Sequence, residues 1–150
     1  VIATEEDIIF NSQTGSIDTS QGTLTATQGD VNLSANEGDI TTADIEVTEG
    51  VVDLTANEGD ITTADIEVTE GAVDLTANQG SVTTANVEAP TVNIQANNDI
   101  TTASVIATEE DIIFNSQTGS IDTSQGTLTA TQGDVNLSAN EGDITTADIE

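Results

Sequence analysis

Apolar and polar residues alternate along most of this chain with a period of two. From Val52 to Ala56, for example, Val, Leu and Ala alternate with Asp and Thr. Such alternation over five or six residues predicts short, half-buried β-strands. No stripe of apolar residues at helical spacing is present, and Thr, Val, Ile and Asp are middling or poor helix formers. We therefore expect an all-β protein.

The strand pattern recurs in units of about 21 residues. From Ile40 onward the units are 21, 21, 18, 21 and 23 residues long, and together they make a block of 104 residues. Residues 1–46 are identical to residues 105–150, so the block is itself repeated. We predict a single continuous β-solenoid segment over 1–150, with one full repeat in 1–104 and the start of the next in 105–150. We also expect the sequence to be a window onto a longer periodic object.

Each unit divides into three short runs, such as Ile40–Ala43, Asp44–Thr48 and Val52–Asn57. When the units are aligned, residues of similar size, all but one of them apolar, fall in the same columns, which is what stacking of like residues on like requires. We therefore predict a parallel β-helix with three short strands per coil and five coils per 104-residue repeat. The predicted inward columns are Ile45, Ile66, Val87, Val105 and Leu128; Val47, Val68, Ala89, Ala107 and Ala130; Val52, Val73, Val92, Ile112 and Val135; Leu54, Leu75, Ile94, Phe114 and Leu137; and Ala56, Ala77, Ala96, Ser116 and Ala139.

The changes in unit length fall between the runs, at predicted corners. The 18-residue unit has Pro90 and Thr91 where other units have Thr-Glu-Gly, and Pro suits a tight turn because it fixes φ. In the corner Asn-Glu-Gly-Asp between units, we expect the glycine to supply a positive φ. A column of threonines is also predicted to point inward, with hydroxyls hydrogen bonded along the stack: Thr42, Thr63, Thr84, Thr102 and Thr123.

The charge is entirely one-sided. The chain has 28 acidic residues and no Lys, Arg or His, and its formal net charge is -28. Such a surface repels nucleic-acid phosphates, so we expect no nucleic-acid partner. No apolar run approaches the ~20 residues that span a bilayer, so we expect no membrane insertion. Disorder is disfavoured because the apolar residues, 35% of the chain, recur at fixed spacing.

The residues that carry most enzyme chemistry are missing. The chain lacks His, Lys, Arg, Cys and Tyr, which leaves carboxylates and hydroxyls. Paired carboxylates could serve a glycosidase, but such a pair occupies a unique cleft, whereas the acids here recur with the repeat. We therefore expect that the protein is not an enzyme.

Acidic residues should stack on the outer face, which makes cations relevant. Stacked pairs are expected at Glu46 and Glu67, Asp53 and Asp74, and Asp44 and Asp65. Like charges at such spacing repel. The column is diluted in later units by Asn86, Asn93, Ile106 and Ile113. We expect apolar burial to exceed this repulsion, and salt or multivalent cations to relieve it further.

Calcium is the candidate cofactor, with Glu37, Asp39, Glu58 and Asp60 as candidate ligands. These residues belong to two corners of sequence Asn-Glu-Gly-Asp, one coil apart, and calcium prefers such hard oxygen ligands. The next corner has Gln79 in place of the glutamate, and the pattern differs from the repeat of a calcium β-roll. Specific calcium binding, diffuse neutralisation by counterions and plain solvated turns all stay open. So does an ice-binding surface, for which the outward column is Thr41, Thr62, Thr83 and Thr101, interrupted by Asp122.

The units DVNLSANEGDITT and AVDLTANQGSVTT resemble the repeats of filamentous haemagglutinin-type adhesins, which two-partner secretion systems export. The resemblance covers the whole chain and implies a right-handed parallel β-helix; the handedness comes from the resemblance alone. It also implies an extracellular, cell-surface location and a role as a structural filament or adhesin shaft. The expected partners are further copies of the same coils, in a longer chain or by end-to-end stacking, and a cell-surface or matrix polysaccharide. The sequence departs from the family in lacking all basic residues and in its sharp 104-residue repeat.

Overall fold

Runs of alternating residues form β-strands throughout the computed structural model, which describes residues 1–150. The strands are β1 Ile2–Ala3, β2 Ile8–Ser12, β3 Ile17–Thr19, β4 Leu24–Gln28, β5 Val31–Ala35, β6 Ile40–Thr42, β7 Ile45–Ala56, β8 Ile61–Thr63, β9 Ile66–Ala77, β10 Val82–Thr84, β11 Val87–Ala89, β12 Thr91–Ala96, β13 Ile100–Thr102, β14 Val105–Ala107, β15 Ile112–Ser116, β16 Ile121–Ala130, β17 Val135–Ala139 and β18 Ile144–Ile149. None of the structure's elements is a helix with the length and hydropathy needed to cross a lipid bilayer.

Every strand pairs in parallel with its equivalent one coil away, and the 18 strands form one sheet that winds through about seven turns. The winding produces three sides. Side 1 contains β3, β6, β8, β10, β13 and the starts of β16 and β18. Side 2 contains β1, β4, β11, β14, the ends of β16 and β18 and the first parts of β7 and β9. Side 3 contains β2, β5, β12, β15, β17 and the last parts of β7 and β9. The predicted all-β parallel β-helix is confirmed.

The predicted inward columns form the core. Ile45 pairs with Ile66 and Leu54 with Leu75, a shift of one coil. A cluster of 32 buried apolar residues runs along the axis, and Phe114 is its largest side chain. Since each larger side chain that is removed from water contributes ~1.5 kcal/mol or more, this column of like residues is the main source of stability.

The sides are joined by corners of unequal sharpness. In β7 and β9 extended backbone continues from side 2 to side 3, so each of these strands supplies two of the predicted three runs. The corner is visible where alternation lapses: Thr48 and Glu49 are both exposed, before burial resumes at Val52. In the 18-residue coil the same corner lies at Pro90, between β11 and β12, whereas Thr91, which the sequence also assigned to the turn, is the first residue of β12. The Pro90 carbonyl accepts the backbone N–H of Glu110 in the next coil at 2.9 Å.

The glycines of the Asn-Glu-Gly-Asp corners are needed for close approach between coils. A Cβ on Gly38 or Gly59 would lie within 3.0 Å of backbone atoms of the coil below. The prediction of a positive φ at these corners is wrong, because positive φ occurs at Gly29, Gly50 and Gly71, in the corner between side 2 and side 3. Glycine is needed in the corners between units because the coils approach too closely there for a Cβ, and not because the backbone adopts a positive φ.

The threonine column faces inward, as predicted, but its hydroxyls do not bond along the stack. Thr63 is 5% exposed and its hydroxyl donates to the carbonyl of Ala64, the next residue in its own coil, at 3.2 Å. Thr84 and Thr102 repeat this local bond. The hydroxyls of Thr42 and Thr123 have no partner. The hydroxyls that are hydrogen bonded donate to carbonyl groups of their own coil and not to the next threonine. The prediction that they bond along the stack is therefore wrong.

Candidate functional site

The corner between side 3 and side 1 holds the four candidate calcium ligands. It follows the last buried residue of side 3, where the apolar alternation ends and Asn-Glu-Gly-Asp takes the chain around to the next coil. Asn36 and Asn57 begin two successive corners, and the Asn57 amide donates to Asn36 Oδ1 at 3.1 Å. Asn78 in turn donates to Asn57 Oδ1 at 2.8 Å, so the amides form a ladder along the axis.

The aspartates of this corner accept hydrogen bonds from the backbone of the next coil. Asp39 Oδ1 accepts the N–H of Asp60 at 2.9 Å, and Asp60 Oδ1 accepts the N–H of Ser81 at 2.7 Å. Where the sequence has serine, the hydroxyl oxygen takes the same role, as with Ser16 Oγ and the N–H of Asp39. The complete row, each member accepting from the next, is Ser16, Asp39, Asp60, Ser81, Asp99, Ser120 and Asp143. We call it the corner ladder.

Similar bonds occur at the other two corners. Between side 1 and side 2, Asp65 Oδ1 accepts the N–H of Asn86 at 3.0 Å. Between side 2 and side 3, Asp111 Oδ1 accepts the N–H of Asp134 at 2.7 Å. Because corner backbone lies outside the strand pairing, these side chains satisfy N–H groups that would otherwise lack a protein partner. A large part of the acidic surface therefore has a structural role.

The candidate glutamates stand apart from this ladder. Glu37 and Glu58 are exposed and donate or accept no hydrogen bond with the protein, whereas Asp39 and Asp60 are joined through the backbone N–H of Asp60. No three carboxylates of the chain lie close enough together to hold a metal ion. The arrangement is a row of single carboxylates at coil spacing, open to solvent. Calcium binding by these four residues stays a prediction.

A second acidic row lies on the flat outer faces. Glu46 pairs with Glu67, and Glu67 with Glu88, so three glutamates stack on side 2. On side 3 Asp53 pairs with Asp74, and this row then ends at an asparagine whose amide donates to Asp74 Oδ1 at 3.0 Å. The predicted stacking and dilution of the acids are both present. No cationic side chain exists to compensate them, so the compensating charge must come from solution.

Two aspartates have shifted pKa values. The Ser20 side chain and backbone N–H hydrogen bond to Asp18 and hold the pKa of this carboxyl below its ordinary value. Ser124 does the same for the pKa of Asp122, the equivalent residue in the next repeat. Both carboxylates lie on side 1, where they interrupt the outward threonine column. Because the pKa is lowered, both carboxylates keep their charge to a lower pH than an ordinary aspartate does.

The outward threonines of side 1 stack as the sequence indicates. Thr62 pairs with both Thr41 and Thr83, and Thr101 with Thr83. Thr101 then pairs with Asp122, which ends the row with a charge. The surface is thus one threonine wide and four coils long, and no second threonine column accompanies it on the same side.

The corner ladder could have been inferred from the sequence. At the residue before each side 1 strand, the units carry Asp or Ser and no other residue type. These residues share a short side chain with an oxygen that can accept a backbone N–H nearby. A continuous row of calcium sites would favour carboxylates at that position in every coil, whereas a backbone acceptor does not distinguish Asp from Ser.

The ladder predicts which substitutions the corner tolerates. Asp60→Ala removes the acceptor for the Ser81 N–H and should lower the free energy of unfolding by about 1 kcal/mol. Asp60→Ser keeps an acceptor and removes one negative charge, so stability should be unchanged or slightly raised. Glu58→Ala is the matched control, because this exposed side chain has no bond to lose. Chemical denaturation measures all three; equal losses for Asp60→Ala and Asp60→Ser would contradict the ladder.

Comparisons with known proteins add no name to this fold. The chain matches no protein-family model, no curated protein and no solved structure. Function must therefore be argued from the geometry of the coils.

Proposed function

We propose that this β-helix is the shaft of an extracellular filament or adhesin, built from coils that stack without interruption and whose acidic surface is neutralised by dissolved cations. The observation that carries the proposal is the unbroken parallel pairing of equivalent strands from coil to coil. This pairing buries a continuous column of 32 apolar residues along the axis.

The strands of each coil favour stacking on a further coil. The unpaired edge of a parallel strand carries N–H and C=O groups that need partners, so an uncovered coil invites pairing. Each added coil, from the same chain or from a second copy, would bury the apolar residues of the coil before it, as Ile40 and Ile45 are buried. Repeated addition lengthens the solenoid along its axis, which is the geometry of a filament.

Surface export is proposed on the resemblance to filamentous haemagglutinin-type repeats. The stacked coils are consistent with that family's β-helical shafts, and a shaft needs length and stiffness rather than a catalytic cleft. The open outer faces, with no convergent set of reactive side chains, suit a non-catalytic role. A cell-surface or matrix polysaccharide is the partner we propose for such a shaft.

The cation part of the proposal has a specific rival. Diffuse neutralisation needs only ions within about 10 Å of the surface at 0.1 M salt, and any divalent cation can supply it. A calcium-binding adhesin would instead use Asp39 and Asp60, which are stacked one coil apart, and would discriminate calcium from magnesium by the number and flexibility of its oxygen ligands.

Electron microscopy and thermal unfolding of the exported protein separate the two. At equal ionic strength, calcium and magnesium should both support filaments and raise the unfolding temperature by similar amounts. Filaments that form only with calcium, dissolve with a chelator and are lost in Asp39→Asn with Asp60→Asn would establish the calcium-binding adhesin instead. Dispersed, unassociated particles under every ionic condition would contradict the filament.

A further inference from the structure

Two asparagines lie in the sequence motif that marks N-glycosylation acceptors. Of the chain's 12 asparagines, only Asn32 and Asn136 are followed two residues later by Ser or Thr, in Asn-Leu-Ser. The pattern Asn-x-Ser/Thr marks acceptors for N-glycosylation in exported proteins. These two residues are equivalent in the 104-residue repeat, so the sequence carries one such acceptor per repeat. Because the motif is short, the position of each asparagine in the fold must show whether its side chain is open to modification.

Both asparagines point outward from the middle of a side 3 strand. Asn32 lies in β5 between two buried residues, and Asn136 lies in β17 between two partly buried residues. Neither side-chain amide hydrogen bonds to the protein. Asn93, in the same outward column, instead donates its amide to Asp74. The acceptor nitrogen of the two motif residues is therefore free, and no contact would be lost by its modification.

The neighbour below each motif asparagine is an exposed isoleucine. Ile9 pairs with Asn32 and Ile113 pairs with Asn136, so each isoleucine lies one coil, or about 4.8 Å, beneath it. Ile9 is 57% exposed and Ile113 is 40% exposed. The rest of this outward column is polar. The same pairing of an exposed isoleucine with a motif asparagine is present in both repeats.

We infer that Asn32 and Asn136 carry N-linked oligosaccharides whose first sugars cover Ile9 and Ile113. The donor class is an oligosaccharide linked through phosphate to a lipid carrier. The Asn Nδ2 attacks the anomeric carbon, the N–C bond forms as the C–O bond to phosphate breaks, and the lipid phosphate leaves with the electron pair. One amide proton passes to a base of the transferase. The hydrophobic C–H face of the sugar then removes the isoleucine from water.

Glycosylation of this kind also fits the surface charge and the repeat. One bulky, neutral glycan per 104 residues would recur every five coils along side 3, about 24 Å apart along the axis. It would be a regular coat on a shaft whose other outward columns are acidic. The inference rests on the export that the proposed function includes, because the lipid-linked donor acts on exported chains.

Mass spectrometry of the exported full-length protein tests the inference, with peptides produced by a glutamate-specific protease because the chain has no Lys or Arg. The peptides with Asn32 and Asn136 should carry hexose and hexosamine mass. An amidase that removes N-glycans should convert both asparagines to aspartate. Asn32→Gln should lose the glycan at that position and Ser34→Thr should keep it. Asn93→Gln, in the same column but outside the motif, should leave the pattern unchanged.

The outcomes separate this inference from the proposed function. An exported protein with unmodified Asn32 and Asn136 overturns the glycan and leaves the filament standing. A protein that cell fractionation finds only in the cytoplasm overturns the export and the glycan together. A second measurement tests whether the glycan covers the two isoleucines. Removal of the glycan should increase the fluorescence of a dye that binds exposed apolar surface. The double substitution Ile9→Asn with Ile113→Asn should abolish this increase. Unchanged dye fluorescence after removal of the glycan from the wild-type protein would show that the glycan does not cover the isoleucines.

Discussion

Phe114→Ala should lower the free energy of unfolding by about 3 to 5 kcal/mol, the usual loss for a fully buried phenylalanine. Phe114 is 0% exposed and stacks between Ile94 in the coil below and Leu137 in the coil above. Alanine would leave a cavity that neighbours held by backbone pairing on both sides cannot close. Because a solenoid is stabilised by contacts between adjacent coils, the loss should weaken both interfaces of this coil. Urea denaturation followed by circular dichroism measures it.

Phe114→Leu is the control at the same position, because the equivalent residues of other coils include Leu75 and Leu137. Leucine fills most of the space and leaves a smaller cavity, so its loss should be less than half of that for alanine. Equal losses for the two substitutions would contradict close packing of the coils around Phe114.

Gly71→Ala should cost about 2 to 5 kcal/mol, from an unfavourable backbone and a steric overlap together. Gly71 has a φ of +143°, which side chains with a Cβ rarely adopt. A Cβ there would also meet the carbonyl oxygen of Gly50, directly below in the corner between side 2 and side 3. Relief would require the two coils to separate at this corner, where they pair in register through Glu49 and Glu70. Thermal unfolding and urea denaturation should agree on the loss.

Glu70→Ala is the neighbouring control, because this side chain is exposed and makes no hydrogen bond with the protein. Its effect should stay within about 0.5 kcal/mol. A loss at Glu70 as large as that at Gly71 would indicate a general intolerance of substitution in this corner rather than close stacking of the two glycines.

The sequence was sufficient for the architecture because a solenoid reduces folding to a one-dimensional alignment. Once Leu54, Leu75, Ile94 and Phe114 are aligned, the register of a whole side follows, since one strand pairs with the next at the coil spacing. The position of Pro90 similarly identified the tightest corner before any geometry was known. Long-range contacts, which are hard to infer in most folds, here lie one repeat unit apart.

The corners could not be predicted as well, because their geometry depends on distances between coils rather than on periodicity. Gly59 was expected to have a positive φ, but its role is to admit the backbone below. Thr63 was expected to bond to its neighbouring threonine, yet its own chain offers a nearer carbonyl. Such competition is decided by tenths of an ångström, and the sequence carries no information at that scale.

The candidate site illustrates the same limit. A cluster of acids suggested a ligand, and the sequence gives no direct sign that Asp39 and Asp60 are occupied by backbone N–H groups. The alternation of Asp with Ser at that position was the available clue. The acids of the flat faces, such as Glu46 and Glu67, were placed correctly because they follow the strand register.

Helical diffraction from filaments of the exported protein tests the central claim most directly. Continuous stacking predicts a meridional reflection near 4.8 Å from the coils and an axial repeat of about 24 Å from the five-coil block. Both spacings should persist when magnesium replaces calcium. Filaments without the 4.8 Å reflection, or an exported protein that yields only globular particles, would contradict a shaft of stacked coils.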